Sequence, residues 1–426
     1  MMRELRGILE HGHADSALQT SYLATRQLSK DLIAGLGEAD LTVQSMPDAS
    51  PAKWHLAHTT WFFETFLLRD TVPGYDLFDD RWPYLFNSYY EAEGERIARP
   101  ERGLITRPSV AEMMAYREHV DRSVLNAWPL LVDRHRDLLE LGIQHEQQHQ
   151  ELLLMDIKHL FSRNPLGPAY AERTKGEPAP SSSPLRWIEG ATGAAQFGHQ
   201  SSGFAFDNEM PCHTAWLSPH ALANRPVTNE EWIAFLSDGG YRTPSLWLSD
   251  GWDWIRREGI SAPLYWRMHE GTWEHFTLSG WHPVDPAAPV CHISFYEADA
   301  FSAWAGARLP TEHEWEAAAV REDCKGGVQL DGPGATAPIA EQPQGEFASL
   351  FGNVWEWTGS AYRPHPGFRP APGAVGEYNG KFMSGQFVLK GGCCATPRGH
   401  VRASYRNFFH PHQRWQFSGV RLARSL

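Results

Sequence analysis

Apolar residues recur at three- and four-residue spacing through the first 163 residues, the pattern of helices with one buried face. One such stripe runs from Ala17 to Leu36. A second follows Ser50-Pro51, a capping residue ahead of a proline suited to the first helical position, and continues through PAKWHLAHTTWFFETFLLRD. Ser109-Val110-Ala111-Glu112 reads as a capping box that opens a third helix ending near Trp128. A fourth, from about Leu131 to Phe161, contains no proline. Four helices of this size predict a bundle, whose interior is a common place for metal sites built from facing side chains. Between the second and third lies a long connection, about Thr71 to Pro108, carrying WPYLFNSYYEAEGERIARPERGLITRP. Its length and aromatic content predict an ordered, functional loop.

The pattern changes after residue 163. Residues 164–185, NPLGPAYAERTKGEPAPSSSPL, have the composition of a linker. From residue 186 to residue 426 short segments are broken by Gly, Pro, Asn and Trp, with two helices expected at about Thr228–Asp238 and Tyr296–Ala305. That half reads as an irregular α+β domain of short strands and long loops. A chain of 426 residues exceeds what one core usually supports, in keeping with a helical domain at 1–163 and a second domain at 186–426.

Composition narrows the functional classes. Lys plus Arg is 38 against Asp plus Glu 51, a formal charge of −13 that weighs against nucleic acid as a partner. No stretch approaches the roughly 20 apolar residues of a membrane span, so no membrane partner is expected. The opening MMRELRGILEHGHADS has no apolar signal core. Five cysteines with no C-x-x-C pair predict a reduced, cytoplasmic protein without a disulfide scaffold. No feature of the sequence sets an oligomeric state. The 21 His and 18 Trp suggest aromatic, metal-capable pockets.

The most informative local motif is His145-Glu-Gln-Gln-His149-Gln-Glu151. Residues four apart on a helix lie one above the other, so His145 and His149 can chelate one ion through neutral imidazole nitrogens suited to iron, zinc or copper. Helix two adds His55 and His58. Trp54, His58, Trp61, Phe62 and Thr65 share a stripe, which points His58 into the bundle and His55 more to the side. A three-histidine site leaves about three positions open on an octahedral ion, which suits an ion that gathers substrates better than a closed structural zinc. Glu151, about 200° round the helix from His149, is expected to support the structure without ligating.

These motifs resemble a known family. Leu56-Ala57-His58 and His145-x-x-x-His149-x-Glu151 resemble the DinB-like bundle of ergothioneine-biosynthetic sulfoxide synthases. The second half resembles the formylglycine-generating-enzyme-like (sulfatase-modifying-factor) domain, a C-type-lectin-like fold. The matching segments are Asn208-Glu209-Met210-Pro211, Arg225-Pro-Val-Thr-Asn229, Arg308-Leu-Pro-Thr-Glu-His-Glu-Trp315, Gly352-Asn-Val-Trp-Glu-Trp357, Gly391-Gly392 and Phe417-Ser-Gly-Val-Arg421. The fold class implied is α + (α+β).

The resemblance implies iron(II) ligation by His58, His145 and His149. It also implies contact of Gln148, Asn407 and Phe408 with Nα-trimethylhistidine (hercynine), and aromatic faces do attract quaternary ammonium groups. The implied reaction consumes O2, forms a carbon–sulfur bond at imidazole C2 and oxidises the sulfur, with a tyrosine supplying a proton or electron. Pro372 to Phe382, where some members carry that tyrosine, offers only Tyr378 and matches poorly. Tyr89-Tyr90 resembles the branch that takes a tyrosine pair from the first domain. Members that use γ-glutamylcysteine have an aspartate where this chain has Phe409, so free cysteine is the expected thiol. Arg96 and Arg99, with Arg102 or Arg107, are the candidates for its carboxylate.

Three other readings rank lower. The synthase that joins cysteine to C5 of unmethylated histidine usually continues into a methyltransferase domain, whereas this sequence stops at Leu426. Formylglycine generation needs a cysteine pair near Thr396 and Val401, which Cys393-Cys394 does not supply. A non-catalytic lectin-like binding protein would leave three helix-borne histidines without a role.

Overall fold

In the computed structural model the apolar stripes of the first half become four long helices: Met2–Asp31, Ala52–Phe63, Val110–Asn126 and Trp128–Arg163. The structure describes residues 2–172, 182–340 and 345–426, and the chain divides into two compact units, Met1–Leu160 and Phe161–Leu426. Of the expected linker at 164–185, residues 173–181 lie outside the described residues.

Ser109 caps the third helix as expected, accepting from the Glu112 backbone N–H while Glu112 reaches back to the Ser109 N–H. The second helix begins one residue later than the capping signal suggested. Pro51 is its N-cap, and the Ser50 hydroxyl accepts from Arg102 Nη1 at 2.9 Å while its N–H donates to Asp156 at 2.8 Å. This helix passes at Glu64 into a π-helical turn, Glu64–Arg69, a departure no periodicity announces. The fourth helix is interrupted at His135, where φ is −141° and ψ 35°.

Trp61, Phe62 and Phe63 are fully buried in the second helix, each contributing about 1.5–3 kcal/mol by leaving water. The fourth helix approaches them at Gly142, where a Cβ would lie 2.7 Å from the Phe63 ring. A polar network ties the four helices together inside this apolar shell. Glu146 accepts from Arg26 Nη1 at 2.8 Å, from Ser29 Oγ at 2.5 Å and from Arg117, and Arg26 also donates to Thr60 and Asp121. Burial alone would raise the Glu146 carboxyl, but the Arg117 and Arg26 guanidiniums outweigh it and hold the group at about 2. The connection between helices two and three is anchored by buried Glu64, which accepts from Tyr75 Oη, Tyr116 Oη and the Phe78 N–H.

Among the described residues the second unit contains four small sheets. In one, β1 (Trp187–Glu189) and β12 (Ala423–Ser425) both pair antiparallel with β4 (His220–Ala223), so its early and late strands meet. In another, β8 (Trp355–Ala361) sits between β9 (Phe387–Lys390), antiparallel, and β11 (Ser418–Gly419), parallel, with β10 (Asn407–Phe409) on the outer edge of β9. The two expected helices form at Asn229–Ser237 and Phe295–Trp304, and two more appear at Ser249–Glu258 and Glu312–Ala319.

The motifs that carried the resemblance in this half are braces of the fold. Arg225 pairs with Glu231, whose carboxylate also caps Thr228, and Arg308, Glu314 and Thr311 repeat the arrangement. Glu356 of the Trp-Glu-Trp segment meets Arg421 in a fully buried pair, with the Trp315 indole N–H donating to the same carboxylate at 2.6 Å. Trp232, Trp315, Trp355 and Trp357 are fully buried, consistent with tryptophan as scaffold here.

Candidate metal centre

His58 projects from the second helix, and His145 and His149 rise on successive turns of the fourth. One ring nitrogen from each lies within 4.8 Å of the others. The ring centroids are 4.6–5.0 Å apart, with interplanar angles of 58° to 86°, so the rings splay around a common point. Burial pushes all three imidazoles below their ordinary values, His145 to about 3, which keeps them neutral electron-pair donors at neutral pH.

Hydrogen bonds behind the rings set which nitrogen faces inward. His58 Nδ1 lies 2.6 Å from the Phe86 carbonyl oxygen, which requires an Nδ1–H and leaves the electron pair on Nε2. That Nε2 is enclosed and has no hydrogen-bond partner among the described residues. An unsatisfied buried nitrogen costs about 1–3 kcal/mol, so a ligand for it is the physical expectation. His149 Nδ1 lies 2.8 Å from His55 Nδ1, and His55 Nε2 lies 3.0 Å from Asp156. The carboxylate fixes the proton on His55 Nε2, so His55 Nδ1 accepts from His149 Nδ1–H and the His149 Nε2 electron pair is turned away from the relay. His55 therefore does not stand aside from the cluster. The side of the helix it occupies is the side from which the fourth helix arrives.

Aromatic rings enclose the site. Trp54 stacks on His58 at 4.6 Å and Trp61 lies at 5.6 Å, each within 16° of parallel. Tyr90 is fully buried against Trp61 and Phe66 and stacks on Tyr89 at 4.7 Å, so the tyrosine pair is one aromatic layer from the histidines. Arg102 lies 3.4 Å above the Trp54 ring, donates to Ser50 and Ser88, and is 2% exposed. Among the described residues it makes no ion pair, and its Nε has no partner. Burial correspondingly lowers its pKa. Arg96 is paired with Glu91 at 2.6 Å, and Arg99 is exposed. Gln148 precedes His149 on a half-exposed stretch of the helix, while Glu151 is buried.

Comparison with known proteins gives this geometry a context. The DinB superfamily matches residues 21–153, and the sulfatase-modifying factor enzyme 1-like domain matches residues 177–331 and 329–426. The hercynine oxygenase of Mycobacterium tuberculosis is 34% identical over 418 residues, covering 91% of this chain and 93% of that protein. The chain belongs to the hercynine oxygenase family, the sulfoxide synthases of ergothioneine biosynthesis. Another hercynine oxygenase, from Mycolicibacterium smegmatis, is 33% identical and covers 91% of this chain and 94% of its own length. Ergothioneine biosynthesis protein 1 of Schizosaccharomyces pombe is 28% identical over 52% of this chain and 28% of that protein.

The other residues carried over from the family lie in the second unit. Asn407 and Phe408 sit on β10, opposite Leu389 and Val388, and the Asn407 side chain accepts from the Phe408 N–H. Phe408 stacks on Tyr362 at 4.1 Å and 12°, and Asn208 donates to Tyr362 Oη at 2.9 Å. Phe409 packs edge-on against Trp415. Tyr378 is buried and stacked on Phe206. Two features escape sequence reading: the His55–Asp156 relay and the Glu146 network. The last had a visible signal, since Arg117 falls on the apolar stripe Met113, Tyr116, Val120, Val124.

Proposed function

We propose that the protein is an iron(II)- and O2-dependent sulfoxide synthase that joins cysteine to imidazole C2 of Nα-trimethylhistidine and oxygenates the sulfur. The observation that carries this reading is the set of three inward-facing imidazoles, two with tautomers fixed from behind by the Phe86 carbonyl and by the His55–Asp156 relay. An all-nitrogen, neutral set of this kind fits a borderline divalent ion with positions left for substrates. Bound there by His58, His145 and His149, iron(II) would supply the redox chemistry that couples thiol, imidazole carbon and oxygen.

The chain's own groups bind, orient and protonate. Tyr90, with Tyr89 stacked on it, is the proposed proton donor at its phenol oxygen, held by the Trp61 and Phe66 rings one layer from the histidines. Arg102 is the strongest candidate for the thiol substrate's carboxylate, because its buried charge meets only hydroxyls and no carboxylate among the described residues, while Arg96 already pairs with Glu91 and Arg99 lies in solvent. Gln148, Asn407 and Phe408 are assigned to the trimethylhistidine by the family resemblance, an aromatic ring being suited to a quaternary ammonium group. Phe409, in place of a polar partner for a γ-glutamyl group, favours cysteine.

The test is incubation of the full chain with iron(II), O2 and trimethylhistidine, with cysteine in one arm and γ-glutamylcysteine in the other. The expected result is a C2-linked cysteine sulfoxide by mass and regiochemistry, formed faster than the γ-glutamyl product. Exclusive use of γ-glutamylcysteine would overturn the thiol assignment, and a C5 linkage would overturn the substrate assignment.

A further inference from the structure

We propose that His213, His313 and His365 form a second metal site, confined to the sheet-containing unit and selective for a nitrogen-preferring divalent ion such as zinc(II). Three segments remote in sequence bring these side chains together. His213 opens β3 (His213–Leu217), His313 is the second residue of the helix Glu312–Ala319, and His365 lies in the turn beyond β8. One ring nitrogen of each lies within 4.8 Å of the others. His213 and His365 are buried, and His313 is half-exposed, which leaves a route from solvent.

The hydrogen-bond pattern fits an ion better than a packed core. His213 Nδ1 faces the Pro211 carbonyl oxygen at 3.2 Å, so its proton sits there and its Nε2 carries the electron pair. That Nε2 lies 3.2 Å from His313 Nε2. Two bonds of 2.0–2.1 Å to one tetrahedral ion place their nitrogens about 3.3 Å apart, so the pair already has the separation an ion requires. His365 is 6% exposed, and its Nε2 is enclosed with no hydrogen-bond partner among the described residues. An orphaned ring nitrogen beside two converging ones is a ligand position, since leaving it empty forfeits hydrogen-bonding free energy that folding does not otherwise recover.

The neighbouring charges define the ion. Glu312 is held by Arg406 at 2.8 Å, and Glu316 by Lys390 at 3.2 Å and by the Gly198 N–H at 2.7 Å. Both carboxylates are therefore spent on cations of the fold, and the donor set is nitrogen only. Hard oxygen-seeking ions such as calcium or magnesium are disfavoured, and zinc(II), nickel(II) or copper(II) favoured, with water in the remaining position.

Cobalt(II) and zinc(II) are the probes, used on the full chain. Wild type is expected to bind one equivalent more than His313→Asn, and the His145→Ala/His149→Ala chain to keep one equivalent with the visible bands of tetrahedral cobalt(II). Adding His313→Asn to that chain should abolish the remaining equivalent. Zinc should raise the melting temperature of the His145→Ala/His149→Ala chain but not of its His313→Asn derivative, a readout independent of stoichiometry. Equal uptake by wild type and His313→Asn, or no uptake by the His145→Ala/His149→Ala chain with its helical circular dichroism intact, would overturn the proposal. Both outcomes are separable from failure of the first centre, because the decisive comparison changes only His313.

Discussion

Asp156 is the remote end of a relay that reaches the candidate metal centre through two hydrogen bonds, 3.0 Å to His55 Nε2 and 2.8 Å from His55 Nδ1 to His149 Nδ1. In Asp156→Asn the charge that pins the proton on His55 Nε2 is lost, and the amide can face His55 with either its oxygen or its NH2. His55 is then free to place its proton on Nδ1, which sets it against the His149 Nδ1–H and turns the His149 electron pair away from the centre. The other bond of Asp156, from the Ser50 N–H at 2.8 Å, survives because an amide oxygen also accepts it, so the fold is expected to hold. Removing such a supporting partner typically weakens metal affinity by about 10–100-fold. At 1.4 kcal/mol per tenfold this is about 1.4–2.8 kcal/mol. The assay is anaerobic competition for iron(II) against a chromogenic chelator, for wild type, Asp156→Asn, His55→Gln and the double variant. Both single variants should fall in that range, and the double should be no weaker than the worse single, because the two residues act as one unit. An affinity within twofold of wild type in both single variants would refute the relay.

Glu146→Gln leaves the buried Arg26 and Arg117 without their shared carboxylate, which should cost about 3–5 kcal/mol. At about 2–4 °C per kcal/mol that lowers the melting temperature of the helical unit by roughly 6–20 °C in calorimetry, and a shift under about 2 °C would contradict it. The Glu146 carboxyl is held at about 2, below its unfolded value, so its contribution is complete above pH ~4.5 and fades as pH falls toward 2. The gap between wild type and variant should close over that window. Tyr90→Phe should slow sulfoxide formation by about 10²–10⁴-fold with iron binding unchanged, and Tyr89→Phe should act less strongly because Tyr89 is the more exposed of the stacked pair. Normal turnover in both would place the proton donor elsewhere. Arg102→Met keeps apolar contact with Trp54 but removes the charge, so the KM for cysteine should rise at least tenfold while the KM for trimethylhistidine stays near wild type. Equal effects on both substrates would reduce Arg102 to a structural role.

The helices and the Ser109 cap were legible because their signals are local, an i, i+3, i+4 stripe and a four-residue box. His145 and His149 were legible for the same reason, being one turn apart. His55 is placed to the side by the stripe through Trp54, His58 and Trp61, which locates the helix's apolar side without saying which neighbour flanks it. Sequence also does not reveal that Asp156 would meet His55 across two helices. The polar network around Glu146 is hidden by an assumption that charge means surface. Arg117 and Arg26 break it only through their positions on otherwise apolar stripes. His213, His313 and His365 had no local motif at all, since only the folded sheet unit makes them neighbours. In that unit the recognisable segments turn out to be ion pairs and caps, such as Arg308–Glu314 and Arg421–Glu356, which identify the fold and leave the chemistry to other residues.

The central claim, that three helix-borne imidazoles hold the iron at which trimethylhistidine and a thiol are joined, is tested most directly by His149→Ala measured for metal and product in one preparation. The account expects the loss of one equivalent of bound iron(II) and of sulfoxide formation together, with the helical circular dichroism of wild type retained. Wild-type turnover in that variant would contradict it.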